Sequence, residues 1–346
     1  MQCEVTIGIP VYKAVDYIEA TMLSALAQTY ESIEFLIVDD CGNDGTIGIV
    51  EHLQCTHPRG RNIRILHNEK NCGVAFSRNR IIDEAHGQYL YFLDSDDVIE
   101  PNTIELLINT MQANVCDIVY ASYERVDCVD ETTRALTQQN VYPSLVLEHP
   151  GDLALYAFQN YGTFQASVCN CLIDVAFLRD AHVRFINTAY WEDMAFTYEL
   201  VTKVRKAALL PDVTYHYLCR PFSLSNYQGR EKIRKEEVLR NISTIDYLKE
   251  KCFLVSSQPY APYMCYNLEM NSFYIVCHVL KCGQRVVPSF SGKELQSCMR
   301  FPLPFSKLIR FKHKRISNGF LWLVSHLPMP LFLFVVKALG RKRGVL

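Results

Sequence analysis

The clearest indication of the fold is Tyr89-Leu90-Tyr91-Phe92-Leu93-Asp94-Ser95-Asp96-Asp97, in which an apolar run leads directly into three carboxylates. A short apolar run of this kind is typical of a strand buried in a parallel sheet. Open α/β sheets bind their ligands beyond the carboxyl ends of such strands. The stretch therefore predicts a central strand that delivers acidic side chains to a ligand-binding edge.

Similar apolar runs alternate with helical patterns through residues 1–120, which is typical of βα units in a mostly parallel sheet. The predicted strands are Val5–Ile9, Glu34–Val38, Ile63–Leu66, Gln88–Leu93 and Asp117–Ala121. The predicted helices are Asp16–Gln28, Asp44–Leu53, Val74–Ala85 and Pro101–Ala113. We therefore expect an α/β fold, a sheet flanked by helices.

The pattern changes after residue 127. We expect a loop or hairpin over 127–150, then a helix over Trp191–Lys203 and a strand over Thr214–Leu218. Helical periodicity continues in Gly229–Lys251 and Pro262–Leu280. We therefore predict a catalytic domain over 1–225, a helical extension over 226–300 and a basic, apolar tail over 301–346.

Three carboxylates at one strand end repel each other unless they take up protons or share a cation. Carboxylate oxygens favour Mg²⁺ or Mn²⁺, and such an ion could neutralise a diphosphate. A second strand ends in Asp39-Asp40, and Asp44 follows in a glycine-containing turn. The two acidic strand ends together indicate a site, although a solvated turn and, for Asp44, a helix cap remain alternatives.

Four motifs in this order resemble the family 2 glycosyltransferases of the GT-A fold. They are VTIGIPVY at 5–12, VDD at 38–40 with DGT at 44–46, NCG at 71–73 with SRN at 77–79, and FLDSDD at 92–97. The resemblance covers residues 3–125. It implies a GT-A, Rossmann-like catalytic domain that binds a nucleotide-sugar, with the helical region at its carboxyl end.

The resemblance also implies roles for individual residues. Asp94 and Asp96 match the D-x-D motif of the family, which places Asp96 on a metal and Asp94, with Ser95, near the ribose. The remaining residues of the implied nucleotide-sugar pocket are Pro10, Tyr12, Asp39, Asp40 and Arg78. Asp40 would contact the base, and Arg78 would support the acidic edge, although a surface helix Arg is the alternative.

The segment Trp191-Glu192-Asp193-Met194 resembles the E-D motif of the family, in which the Asp is the base of inverting members. We therefore predict Asp193 as the catalytic base and Glu192 as an acceptor-binding or support residue, with helix first-turn acids as the alternative. Farther along, we predict His216 at the metal and Arg220 at the diphosphate. A strand His with satisfied hydrogen bonds remains an alternative for His216.

The charges are distributed unevenly along the chain. Residues 1–300 hold 26 Lys and Arg against 37 Asp and Glu, whereas the last 46 residues hold nine Lys and Arg and no acid. The acidic charge of residues 1–300 argues against a nucleic-acid-binding protein. The tail is basic and apolar but interrupted by Pro328 and Pro330, which favours a segment that lies on a membrane over one that crosses it. A helical hairpin packed on this chain or on a second subunit is the alternative.

The 14 cysteines are scattered and no signal segment opens the sequence, which predicts a cytoplasmic protein at the inner face of the membrane. We expect an inverting, hexosyltransferase-type enzyme that uses Mn²⁺ or Mg²⁺ and a UDP-sugar. Its acceptor would be a glycan or a lipid-linked oligosaccharide. A non-catalytic nucleotide-sugar-binding or scaffolding protein is the alternative, and a homo-oligomer stays open.

Overall fold

The computed structural model describes residues 3–128, 134–161, 168–188, 191–219 and 231–346. The chain forms two compact units. The first unit takes residues 1–153, 167–187 and 203–223, and the second takes 154–166, 188–202 and 224–346. The predicted boundaries at 225 and 300 stay a prediction.

The first unit is built on one large sheet. Its strands are β1 Val5–Val11, β2 Ile33–Asp39, β3 Ile63–His67, β4 Tyr89–Phe92, β5 Val98–Ile99, β6 Ile118–Cys128, β7 Arg134–Asn140, β8 Leu145–Leu147, β9 Cys171–Asp174 and β10 Ala207–Cys219. The main path of the sheet runs β3-β2-β1-β4-β9-β6-β10-β5. The first four strands along this path are parallel, and β9 is antiparallel to both β4 and β6.

Helices follow the strands of the first unit as the alternating pattern predicts. They are α1 Ile18–Leu26, α2 Thr46–Thr56, α3 Val74–Glu84, α4 Thr103–Asn114 and α6 Val175–Asp180. Part of the core lies where α3 packs on β1 and β2. Gly8 of β1 has no side chain at that contact, and a Cβ there would lie 2.3 Å from Ile81 Cγ2. The small residue therefore lets α3 approach the strand closely.

The structure confirms the α/β fold and its parallel half. The region expected to be a loop or hairpin forms a hairpin in part, because β7 pairs antiparallel with β6. The predicted strand ranges were too short at β6 and β10. Both strands run on side by side in parallel from Ala207 opposite Ile118 to Cys219 opposite Asp127.

Over the residues that the structure describes, the second unit is helical apart from the short strands β11 Ile233–Arg234 and β12 Val286–Val287. Its helices are α5 Asp152–Asn160, which begins in the first unit, α7 Glu192–Lys203, α8 Lys235–Leu254, α9 Ala261–Cys282, α10 Gly292–Cys298, α11 Phe305–Leu308, α12 Arg315–Ser325 and α13 Met329–Lys342. Both α12 and α13 pack on α9, where Asn318 donates a hydrogen bond to Pro262 O at 2.9 Å. Among the described residues, no helix combines the length and apolarity that crossing a membrane requires.

Candidate functional site

The carboxyl ends of β1, β2 and β4 lie side by side. Val11 is in register with Asp39, and Gly8 is in register with Phe92. Because parallel strands end at the same edge of a sheet, the residues that follow these strands share one edge. This acidic edge therefore brings together the predicted residues Pro10, Tyr12, Asp39, Asp40, Asp94, Ser95 and Asp96.

At the end of β2, Asp39 and Asp40 differ in their surroundings. Asp39 accepts from Gly42 N at 3.3 Å and lies 3.1 Å from His67 Nδ1. Asp40 is buried and accepts from Cys72 N and Gly73 N, both at 2.8 Å. Asp40 thus holds the loop that leads into α3, and its predicted contact with a base stays a prediction.

Asn68 completes this network, although the sequence did not single it out. Its Nδ2 donates to Asp40 Oδ1 at 2.7 Å and to Ser77 Oγ at 3.0 Å. Asn68 directly follows β3, as Asp40 follows β2, so a polar residue just past an apolar strand was the available signal. A second hydrogen bond of the SRN motif is made by Asn79, whose Nδ2 donates to Phe185 O at 2.8 Å.

At the end of β4, Asp94 is paired with Arg78 of α3. Arg78 Nη2 donates to Asp94 Oδ1 at 2.7 Å, and its guanidinium lies 5.4 Å from the ring centroid of Phe185. The Arg78 side chain is only 5% exposed, whereas Asp94 is 25% exposed. Arg78 therefore contacts the acidic edge from a buried position on α3, and the alternative of a surface helix Arg is wrong.

Asp97 is the most deeply buried acid of this edge. It accepts from Tyr215 Oη at 2.5 Å and from Leu218 N at 2.8 Å, both on β10. Burial, followed by the charges of Asp96 and Asp94, raises the pKa of Asp97 well above its ordinary value. Asp97 therefore joins β10 to the acidic edge, a role that no local motif indicated.

Tyr12, Ser95 and Asp96 are the more accessible members. Tyr12 is 45% exposed, with Lys13 Nζ 5.4 Å from its ring centroid, and Ser95 and Asp96 are half-buried. Pro10 is buried within β1. Access therefore favours Tyr12 and Asp96 as residues that can meet a ligand at this edge.

His216 lies next to Tyr215 on β10, but its ring nitrogens contact other acids. Nδ1 lies 2.8 Å from Glu124 Oε1, and Nε2 lies 2.7 Å from Glu100 Oε1. Successive side chains of a strand point to opposite faces, so Tyr215 and His216 cannot both face Asp97. The structure gives His216 two carboxylate partners, and its role as a metal ligand stays a prediction.

The predicted catalytic acids belong to the second unit. Glu192 and Asp193 open α7, where Glu192 is buried and Asp193 Oδ1 accepts from Met194 N at 2.7 Å. Acids in the first turn of a helix are favoured by the helix dipole, so the alternative of helix first-turn acids also has support. Their catalytic roles stay predictions, and Arg220 lies outside the described residues.

The described side chains form no cluster of three or more His, Cys, Asp or Glu residues poised around a metal. Mg²⁺, however, is commonly bound through one or two carboxylates, with substrate phosphates and water completing its shell. Asp97 is buried and hydrogen-bonded to β10, whereas Asp94 and Asp96 are half-buried, so these two are the accessible carboxylates that could bind a cation. The donor chemistry therefore fits a cation held jointly with a diphosphate.

Comparisons with known proteins agree with this geometry. A segment of 119 residues is 36% identical to the putative teichuronic acid biosynthesis glycosyltransferase TuaG of Bacillus subtilis and covers 34% of this chain and 46% of that protein. The alignment therefore spans less than half of that relative. A longer alignment is 29% identical to an Escherichia coli beta-1,3-glucosyltransferase, WfaP, and covers 69% of this chain and 86% of that protein.

Among solved structures, TarS 1–349 of S. aureus in complex with UDP-GlcNAc superimposes with a TM-score of 0.63. The match covers 93% of this chain and 90% of that chain at 17% identity, and it establishes the shared GT-A fold. The family model for glycosyl transferase family 2 matches residues 6–180, which is more than half of the chain and includes the whole acidic edge. The chain therefore belongs to glycosyltransferase family 2.

Proposed function

We propose that this protein transfers a hexosyl group from a UDP-sugar to a hydroxyl of a glycan or lipid-linked oligosaccharide, with inversion at the sugar carbon. The observation that carries the proposal is the acidic edge shared by β1, β2 and β4. Membership of the family supports the reaction class. The neighbour in complex with UDP-GlcNAc and the relative named for UDP-Glc support the donor class.

In this proposal the nucleotide lies along the carboxyl ends of β1 and β2. The exposed ring of Tyr12 offers an apolar face to the base, and Asp39 offers a carboxylate to base N–H or ribose hydroxyl groups. Asp40 is held by three donors and keeps the loop before α3 in place. The proposed nucleotide site therefore combines the exposed Tyr12 ring with the Asp39 carboxylate, next to a loop that Asp40 holds through hydrogen bonds.

The diphosphate lies beside Asp94 and Asp96 in this proposal. Mg²⁺ or Mn²⁺, when bound there with the diphosphate, supplies positive charge that favours departure of the nucleotide. Arg78 holds Asp94 through the hydrogen bond at 2.7 Å, so the Asp94 carboxylate is oriented before the UDP-sugar binds. We further propose Arg220 at the diphosphate and His216 as a metal ligand.

The acceptor hydroxyl is activated by Asp193, with Glu192 in support. Asp193 takes the hydroxyl proton, the acceptor oxygen forms a bond to the anomeric carbon, and the bond from that carbon to the diphosphate oxygen breaks. A single displacement of this kind inverts the configuration. We also propose that the basic tail holds the enzyme on the inner face of a membrane, where lipid-linked acceptors would be within reach.

The test is release of UDP from a panel of UDP-sugars by the purified protein in the presence of glycan and lipid-linked acceptors, compared with Asp193→Asn. We expect about 10²–10⁴-fold slower turnover in the variant, with UDP affinity unchanged, because only the base is lost. The exposed Asp180→Asn, at the end of α6, is the control and retains native turnover. UDP binding without turnover in the native protein would favour the non-catalytic alternative.

A further inference from the structure

The second unit contains an apolar groove between α9, α12 and α13. It has a cavity volume of about 280 Å³. Its lining combines Tyr266, Met270 and Phe273 of α9 with Ile316, Phe320 and Leu321 of α12, and Leu339 and Arg343 close it from the α13 side. Met270 and Phe273 are buried, whereas Ile316 is 85% and Phe320 is 45% exposed. The groove therefore opens from an apolar floor to an apolar, water-exposed lip.

Cations lie at the same opening. Arg343 lines the groove and donates to Tyr274 Oη at 3.2 Å, and Lys314 Nζ lies 4.4 Å from the ring centroid of Tyr266. Residues 301–346 carry no acid. Within the ranges that the structure describes, no ion pair joins a cation of this segment to a carboxylate. The groove thus combines an apolar interior with cations that form no ion pair with a carboxylate among the described residues.

Two of the three helices that form the groove carry further exposed apolar residues, namely Leu323 on α12 and Leu331 and Phe334 on α13. Large apolar side chains beside uncompensated cations are typical of surfaces that lie in the headgroup region of an anionic bilayer. A second copy of this chain would place like charges against each other, which disfavours a symmetric dimer through this face. Charge and apolarity together point to an anionic lipid as the occupant.

We infer that the groove takes one acyl chain of an anionic phospholipid of the bilayer, with the lipid phosphate held by Arg343 and Lys314. This inference rests on the proposed attachment to a membrane and names the site that provides it. The acyl chain of the lipid lies on the apolar floor at Phe273 and Met270, and Ile316 and Phe320 contact the neighbouring lipid. The end of the acyl chain is thereby shielded from water, and the lipid phosphate replaces water around Arg343 and Lys314.

The first test uses vesicles of phosphatidylglycerol and phosphatidylcholine in a ratio of about 1:2, sedimented with the full-length protein. We expect Ile316→Glu to weaken binding by about tenfold or more and Arg343→Gln by about fivefold. The matched controls are Leu254→Glu, at a residue 75% exposed on α8, and Lys281→Gln, at the end of α9. Both controls retain native binding.

The second test isolates the groove with dihexanoyl phosphatidylglycerol, kept monomeric and titrated by calorimetry. Ser317 of α12 also lines the groove, so Ser317→Phe places a ring in it. We expect saturable binding to the native protein, loss of binding in Ser317→Phe and no comparable binding of inorganic phosphate. Native-like vesicle binding in both Ile316→Glu and Arg343→Gln would overturn the groove while leaving attachment intact. No binding of the native protein to anionic vesicles would overturn both, and sugar transfer to a soluble acceptor would remain a separate question.

Discussion

At the residue scale, the acidic edge depends on a guanidinium that is almost completely shielded from water. Arg78 donates to Asp94 and also faces the ring of Phe185. A buried Arg is tolerated only when its charge is paired, and the pairing here is with an acid that remains partly exposed. The pair therefore both stabilises the fold and positions a residue of the proposed donor site.

We expect Arg78→Met to lower the free energy of unfolding by about 1–3 kcal/mol, because Asp94 loses a charge-assisted partner and is only partly hydrated. Thermal or denaturant unfolding measures the change. Arg184→Met is the control at a surface pair with Asp83, where both side chains are at least 42% exposed, and the expected cost is below about 1 kcal/mol. Equal costs for the two variants would show that burial of Arg78 contributes nothing.

The sequence predicted some of these residues and not others, and the separation of partners along the chain explains why. Asp94 and Arg78 belong to motifs that can be recognised locally. The partners of Asp40 lie up to 33 residues away, and Tyr215 reaches Asp97 across 118 residues. Such pairings depend on how the strands are ordered in the sheet, which a single sequence does not specify.

At the scale of elements, β1 is fixed by close approaches of backbone to backbone. Gly87, just before β4, donates to Thr6 Oγ1 at 2.9 Å. A Cβ on Gly87 would lie 2.6 Å from Thr6 N and 2.7 Å from Val5 C, and neither of these backbone atoms can move without displacing the strand. The entry to β4, and with it the position of the acidic edge, thus depends on a missing side chain.

We expect Gly87→Ala to destabilise the protein by about 1–3 kcal/mol through this overlap. Gly48→Ala, in α2, is the matched control, because a Cβ there meets no atom within 4 Å. That change should stabilise the protein by about 0.5–1 kcal/mol through helix propensity. Opposite shifts of the melting temperature are the expected result, and shifts of the same sign would contradict the packing described for β1.

The helices α8 and α9 of the second unit enclose an ion pair. Glu269 is fully buried, and its Oε1 lies 2.9 Å from Lys249 Nζ. Lys249 also donates to Cys298 O and Arg300 O, both at 2.9 Å. Burial raises the pKa of Glu269 to about 7, although the charge of Lys249 acts in the opposite direction. The folded protein therefore holds the Glu269 proton more tightly than the unfolded chain does.

Because the folded pKa is raised, the stability that Glu269 contributes is fully present below pH 4.5 and is lost as the pH rises through about 7. Between these two pH values, we expect the free energy of unfolding of the native protein to fall by on the order of 3 kcal/mol relative to that of Glu269→Gln. Unfolding at several pH values measures it, and constant effects of the substitution cancel. The exposed Glu236→Gln should keep the native pH slope, and parallel curves for native protein and Glu269→Gln would contradict the raised pKa.

At the scale of elements, the parallel strands were predictable, because buried apolar runs and acidic strand ends mark β1, β2 and β4 directly. The antiparallel strand β9 was not predicted. Its Cys171–Asp174 run is only four residues long, and its place between β4 and β6 is set by pairing with strands distant in sequence. The lengths of β6 and β10 likewise come from pairing with each other.

At the scale of the whole molecule, the two units do not follow the order of the sequence. The second unit gathers 154–166 and 188–202 with everything from 224 onward, so no single boundary separates it from the first. Changes in composition along the chain predicted a basic, apolar tail over 301–346, and its boundary stays a prediction. Within that segment, α13 packs in the second unit through the fully buried Phe332 and Val336.

The charge of the molecule is distributed on the same scale. The basic, acid-free segment from 301 to 346 also provides the exposed apolar lip of the groove, so that positive charge and apolarity coincide. The acidic edge, in contrast, is formed by the first unit. The two proposals therefore concern different surfaces, and each can be tested without the other.

In the proposed function, the acidic edge binds a nucleotide diphosphate together with a divalent cation through Asp96. The decisive measurement is calorimetric titration with UDP, with and without Mn²⁺, on the native protein and on Asp96→Asn. We predict saturable binding in the presence of Mn²⁺ that weakens by about tenfold or more when either Mn²⁺ or the Asp96 carboxylate is removed. UDP binding of equal strength in all four titrations, or none in any of them, would contradict metal-dependent binding of the nucleotide through Asp96.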